Sequence, residues 1–501
     1  MNYYLSIDAG TSIVKVVIFD LKFKLVFNKS IKNNVITDSK GKSEINMDQF
    51  WMITSKCIKD CIDKSKINPQ NILSVGLTAN MVGAWPVDNK NKPVRNAILW
   101  NDTRSEKIFN LLKKNNNKIF EEIFKISGSI VQYGCTLPVI KWFEKFEKKT
   151  LRKTKYFLTC KDWIRFKLTN TFNNDFTERS VSPGDIKNIE FSSKIFKLLN
   201  LDLKYKEKFP KLKNSDEIAG YITLNASKKT GLKVGTPVVI GAGDVPSSAI
   251  GVGAVTKGTC ATIVGTTCHN YLVSDKPLFK PKNVGLLFYS PNNQWLRTMI
   301  NVAGTTNFDW VIENFFKDKL KFQSKQKIIK NFEKNFKKKY LHDNEIIFLP
   351  YFNYGGSISP FFNLKAKAEI FGLLPHHSGE DILLASYQGL AMAIKDCYEA
   401  LEIKINKLFL SGGASNSLLF PQILADVLKV KIFIPEGEEF GARGAAYLAS
   451  VGIKKGSNIL KVVKSNQKIK KIFYPDKKNY HYYSLKFGKF LGLRKQLNNI
   501  W

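Results

Sequence analysis

The feature that most limits what this chain can fold into is a strand that breaks at a glycine-and-hydroxyl corner and then resumes. It occurs twice, about half the chain apart. Residues 3–7 are apolar, break at Asp8-Ala9-Gly10-Thr11-Ser12 and continue as 13–20, with 22–28 reading as a third strand and 47–64 as a helix. The same order returns at 238–242, Gly243-Asp244, a helix of small residues from Val245, then 260–264, Gly265-Thr266-Thr267 and 271–273. Strands joined by tight turns and followed by helices predict α/β domains with mixed sheets. Using the device twice predicts a pseudo-duplicated fold.

A chain of 501 residues exceeds what a single core supports. The expected division is a first domain over 1–246, a second over 247–455, and a Lys-rich extension, 456–501, packing on the second. Residues 132–148 and 159–169 read as helices covering a sheet, and 317–339 as one or two amphipathic surface helices. A long apolar-faced helix over 379–401, a strand at 407–410 and the turn Ser411-Gly412-Gly413-Ala414-Ser415-Asn416 into another helix complete the second half. The 44% hydrophobic and 24% charged content is that of an ordinary globular protein.

The net charge of +36 would imply nucleic acid or an anionic membrane if it were focused on one face. Its densest runs, 148–155, 337–339 and 464–471, lie far apart, so it reads as a solvated lysine-rich surface and not as a nucleic-acid footprint. The apolar stretch 234–255 is interrupted by Pro237, Asp244 and Pro246, which argues against a membrane span. Seven cysteines show no regular framework, and Cys57 and Cys61, one helical turn apart, have no further ligand to complete a metal set. A reduced, cytoplasmic chain is expected.

The chemistry concentrates at the corners. At the first, Thr11, Ser12 and Lys15 can face phosphate oxygens while Asp8 holds Mg²⁺ directly or through water. Gly265, Thr266 and Thr267 repeat that chemistry in the second half. Gly412, Gly413 and Asn416 lie where backbone can approach a ring or phosphate before a helix. Asp244 opens a helix after two strand-end glycines, so its carboxylate is placed to take a proton from a substrate hydroxyl, or to cap the helix, or both. Trp100-Asn101-Asp102-Thr103-Arg104 joins a flat ring to an amide, a carboxylate and a guanidinium, a mixture suited to a sugar, with a salt-bridged loop as the alternative.

On these residues the chain resembles the FGGY carbohydrate kinases, the group that includes xylulokinase, L-xylulose kinase, glycerol kinase and gluconate kinase. The anchors, in order, are the Asp8–Lys15 turn, 97–104, 241–244, Gly265-Thr266-Thr267, Phe371-Gly372-Leu373, Gly412-Gly413 and Gly444-Ala445-Ala446. The resemblance implies two ribonuclease-H-like domains of the actin, Hsp70 and sugar kinase type, closing over a cleft that takes ATP and Mg²⁺. It further implies Asp244 as general base and substrate ligand, Asp8 as the Mg²⁺ partner, and Thr11 and Thr266 as phosphate contacts. Gly412, Gly413 and Asn416 would lie along adenosine, and Met81, Trp100 and Asp102 beside the substrate. A small sugar or polyol is the expected partner, with a homodimer left open and neither nucleic acid nor membrane. Asn80-Met81-Val82-Gly83 lacks the Arg-Glu pair expected of glycerol kinases and the histidine of D-xylulose kinases. The stretch 355–360 lacks a common Glu-Arg, and Gln388 stands where glutamate is usual. The runs 438–444 and 395–398 look closer to the L-xylulose and polyol kinase branches.

Overall fold

The computed structural model describes residues 1–336, 345–353 and 356–501. The 337–339 lysine run, the end of the 317–339 helical reading and Gly355 lie outside the described residues. Two seven-stranded sheets organise the chain. In the first, Leu25–Lys32, Ile13–Asp20, Tyr3–Ala9, Ile72–Ala79 and Pro237–Val239 lie side by side in that order. The first three strands are antiparallel, and Tyr3–Ala9, Ile72–Ala79 and Pro237–Val239 are parallel. In the second, Gln294–Asn301, Cys268–Ser274, Cys260–Val264, Lys407–Ser411 and Lys431–Pro435 repeat the order and the directions. The strand-corner-strand device is therefore the opening hairpin of each of two duplicated α/β halves.

Local chemistry explains where the elements begin. The third strand starts at Leu25 because the Asp20 carboxylate accepts the amides of Lys22 and Lys24, each at 2.9 Å, and holds 20–24 as a turn. The helix expected from 132 starts at Thr136, because Gly134 is pressed against Trp100: a Cβ there would sit 2.0 Å from the Trp100 carbonyl oxygen. In the second half, helix Gly379–Glu399 is buried on almost every side, and the C-terminal helix Tyr480–Leu497 lays Tyr483, Phe487 and Phe490 on the same core. Strand Ile469–Phe473 extends the second sheet by pairing with Lys431–Pro435.

Helix Phe440–Ile453 crosses the expected division. Although it lies in sequence between strands Lys431–Pro435 and Ile469–Phe473 of the second sheet, Ala442, Ala446 and Tyr447 pack with Tyr4, Val17 and Val239 of the first. Ser74 of that sheet donates to the Ala449 carbonyl at 3.0 Å. Helix Asp244–Gly251 joins the same packing through Ile250. This layer puts the start of each of the two helices beside the ends of the first sheet's central strands.

All seven cysteines are free and buried, and burial pushes Cys57 and Cys61 up to about 12, which leaves them inert. Among the described residues no helix is long and apolar enough to cross a membrane.

Candidate active site

The first corner is rigidly braced. Asn33 donates its side-chain amide to the carbonyls of Gly10 at 2.8 Å and Thr11 at 3.1 Å, and its own backbone N–H bonds the Ser12 carbonyl at 2.8 Å. Asp8 is the last residue but one of strand Tyr3–Ala9, which leads into this corner. A Cβ on Gly441, in the first turn of helix Phe440–Ile453, would lie only 2.8 Å from Asp8 Oδ2, so the amide-rich end of that helix faces the carboxylate. Lys15 is paired at 2.5 Å with Glu439, whose backbone is left-handed at φ 54°. Burial lifts the Asp8 carboxyl to about 6, with Lys15 acting against the rise and Glu439 adding to it.

Asp244 is the first residue of its helix, after Gly241 at φ 78°, where a Cβ would meet the Leu77 carbonyl oxygen at 2.2 Å. Its Oδ1 accepts the Val245 amide at 2.8 Å. Burial raises its carboxyl to about 7, and the charge of Asp8 adds to that rise; the two residues flank the end of strand Ile72–Ala79, Asp8 opposite Thr78 and Asp244 directly after Gly243, which lies opposite Ala79.

Met81 lies directly over this turn, since a Cβ on Gly243 would fall 2.2 Å from its sulfur. The Met81 loop holds Val82 at φ 54°, a strained conformation for a β-branched residue. What holds it is Glu178, whose Oε2 accepts the Val82 amide at 2.9 Å. The neighbouring Thr177 hydroxyl accepts the Gly243 amide at 2.9 Å. One short helix, Phe176–Val181, thus fastens both loops around Asp244.

Trp100 is 43% exposed and donates its indole N–H to Thr11 Oγ1 at 2.9 Å, tying the aromatic loop to the first corner. Asp102 has a different set of partners from those of a free substrate ligand. It is buried and accepts from Ser43 N at 2.7 Å, Arg104 N at 2.9 Å, and Arg104 Nε and Nη2 at 2.8 Å each. With Glu44, which also receives Arg104 and Arg95, it braces the loop that presents Trp100. Replacing Trp100 with Phe should keep the ring face but lose the bond to Thr11, costing about 0.5–1.5 kcal/mol of stability. Thermal melts check this, and an unchanged melting temperature would disconnect Trp100 from the corner.

The second and third corners meet each other. Gly304, Thr305 and Thr306 clamp the second: Gly304 N bonds Thr266 O at 2.7 Å and Thr305 N bonds Gly265 O at 2.8 Å. Gly412, at φ 87°, lies so close that a Cβ would be 2.4 Å from the Val264 carbonyl oxygen, and Gly413 faces Thr305. Thr266 and Gly413 are exposed, as is Asn416 at the end of the 3₁₀ turn Gly413–Asn416. The expected helix follows that turn, at Phe420–Leu428.

The two clusters are linked by strand Cys268–Ser274, which leaves the second corner and places Tyr271 where the Asp244 charge reaches it. Sequence reasoning missed Thr177, Glu178, Glu439, His269 and Gly304. Among the described residues no group of three His, Cys, Asp or Glu could hold a metal ion. Two raised carboxyls with Lys15 as the neighbouring cation instead fit a divalent ion carried largely on phosphate oxygens and water.

The profile of the FGGY family of carbohydrate kinases, N-terminal domain, matches residues 3–251, and that of its C-terminal domain matches 260–453. A probable L-xylulose kinase of Pasteurella multocida is 27% identical, covering 92% of both chains. An erythritol kinase of Brucella abortus is 26% identical, covering 90% of this chain and 87% of its own. Ligand-bound xylulose kinase from Lactobacillus acidophilus has the same fold, with a TM-score of 0.89, 20% identity, and coverage of 99% of this chain and 98% of that one.

Proposed function

Because the chain belongs to the FGGY family of carbohydrate kinases and is therefore a phosphotransferase acting on a sugar or polyol, we propose that it moves the γ-phosphoryl group of ATP to a hydroxyl of a pentulose or short polyol, with Asp244 as the general base. The observation that carries this reading is that Asp8 and Asp244 flank the end of strand Ile72–Ala79, where burial raises their carboxyls to about 6 and about 7. A base poised near neutrality takes the hydroxyl proton as the oxygen attacks phosphorus.

Asp8 would hold Mg²⁺, which when bound neutralises charge on the phosphate tail. Thr11, Ser12, Lys15 and the Gly265-Thr266-Thr267 corner then grip phosphate oxygens through amides, hydroxyls and one ammonium. Gly412, Gly413 and Asn416 border the adenosine. Met81 and Trp100 wall the acceptor, while Asp102 sets the Trp100 loop. Lys15 reaches phosphate by leaving Glu439, its partly buried ion-pair partner, and exchanging one anion for another.

A pentulose or short polyol is favoured by the character of the wall. Residues 80–83 present an amide, a thioether and a valine with no charge, and Val82 spends its amide on Glu178. The relatives named for L-xylulose and erythritol agree with a small neutral acceptor. A coupled ADP-release screen across pentuloses, pentitols, tetritols, hexuloses, glycerol and gluconate tests it. The expected result is acceptor-dependent turnover led by a pentulose, pentitol or tetritol. Gluconate or a hexulose in first place would overturn the substrate class, and ADP release indifferent to every acceptor would overturn the kinase reading.

A further inference from the structure

Strand Cys268–Ser274 alternates as a two-faced strand should. Cys268 and Leu272 enter the core under helix Gly379–Glu399, while Tyr271 and Val273 join the cluster that contains Met81 and Val82. His269 shares the face of Tyr271, so it looks toward the Met81 loop and lies between the second corner and the residue that senses Asp244. Its Nε2 is 3.1 Å from Thr267 Oγ1, and its Nδ1 is buried with no hydrogen-bond partner among the described residues. Buried polar atoms are nearly always paired, so an orphaned nitrogen on the strand face that packs with Met81 and Val82 signals a partner that arrives from outside.

We infer that His269 is a positioning residue that receives a sugar hydroxyl at Nδ1 and passes that occupancy to Thr267 of the phosphate corner through Nε2. This rests on the kinase reading above and adds a residue to the acceptor site. Burial holds the ring neutral, its pKa pushed down to about 4, and a neutral imidazole carries one proton, so one nitrogen donates and the other accepts. A sugar hydroxyl donating to Nδ1 fixes the proton on Nε2. Nε2–H then donates to Thr267 Oγ1, and the Thr267 O–H is left to donate to a phosphate oxygen. Where the free ring carries its proton on Nδ1, that N–H bond breaks and an Nε2–H bond forms by proton exchange with solvent, and no other covalent bond changes. With the acceptor absent the tautomer is unset and the Thr267 hydroxyl is free to spend its hydrogen on the ring, so the phosphate grip is complete only when a sugar is present.

Two substitutions separate the nitrogens. His269→Gln keeps a donor near the Nε2 position and loses Nδ1, so it should raise KM for the sugar about tenfold and leave KM for ATP within about twofold. His269→Asn keeps an acceptor near Nδ1 and loses the reach to Thr267, so the pattern should invert, with KM for ATP rising about tenfold. In ¹⁵N-histidine spectra of the wild-type chain, adding the acceptor should move His269 to the Nε2–H tautomer. A ring that a buried water merely satisfies would give neither the split nor the spectral change. An active wild type whose two variants keep both KM values, or lose both equally, with no tautomer change on adding sugar, overturns this inference alone. Should either variant fail to fold, the wild-type spectrum decides it. A wild type that phosphorylates no sugar or polyol overturns the kinase reading and this inference with it.

Discussion

Asp244→Asn should lower kcat by about 10²- to 10⁴-fold, the range a positioned general base supplies, while KM for ATP changes little. The amide keeps the shape of the carboxylate and its place at the head of helix Asp244–Gly251, but it has no lone pair basic enough to take the hydroxyl proton. Turnover within tenfold of wild type would remove Asp244 from that role. Misfolding would not explain the loss, because the sign of the pKa shift favours the variant. A carboxyl raised from 3.8 to about 7 binds its proton more tightly folded than unfolded, so its ionisation costs stability as pH climbs through that window. Asn carries no such cost, and the variant should melt no earlier than wild type at pH 7.5.

The same shift sets the acid limb of the pH profile. A general base at Asp244, as proposed, works only when deprotonated, so kcat/KM for the acceptor should fall as pH drops through about 7 in the free enzyme. Part of that position comes from Asp8, whose charge raises Asp244, and the pair titrates as a unit. Asp8→Asn should therefore slow the reaction and also move the remaining acid limb to lower pH. A residue that only supported the strand end would not shift the limb.

What the sequence displayed in advance was chemistry carried by consecutive residues. The corners at Gly10 and Gly265 were readable because strand, glycine and hydroxyls stand in one run, and their repetition exposed the duplicated sheets. Hidden from such reading were partners supplied from a distance. Thr177 reaches Gly243 across 66 positions, Glu178 reaches Val82 across 96, and Glu439 meets Lys15 across 424. None carries a local signal, since Asp and Glu are common and a lone Thr in a helix is ordinary. Asp102 shows the converse: its neighbourhood of Trp, Asn and Arg suits a sugar, yet Ser43, fifty-nine positions earlier, captures its carboxylate. Helix Phe440–Ile453 was visible in the sequence only as the Gly444-Ala445-Ala446 run, without its destination. Its small residues describe a face that accepts another backbone without saying whose.

That destination has a measurable consequence at Gly444. A Cβ there would stand 1.9 Å from the Ser247 carbonyl oxygen, and on the facing helix a Cβ at Gly251 would stand 1.8 Å from the Phe440 carbonyl oxygen. Both obstacles are backbone, so no side chain can swing aside; the helices must separate by roughly an ångström, since packed cores resist even a methylene. Gly444→Ala should cost about 1–3 kcal/mol, and Gly444→Val more. Activity should fall further than stability, because these two helices carry Asp244 at the start of one and Gly441, which faces Asp8, at the start of the other. A displacement near 1 Å between reacting groups is worth about 10²-fold in rate. Gly488→Ala, in the C-terminal helix with open space around its Cα, is the matched control and should be neutral or slightly stabilising. Thermal melts and kcat on the folded fraction read both effects. If Gly444→Ala kept wild-type kcat and melting temperature, these helices would not be what holds the two carboxylates in register.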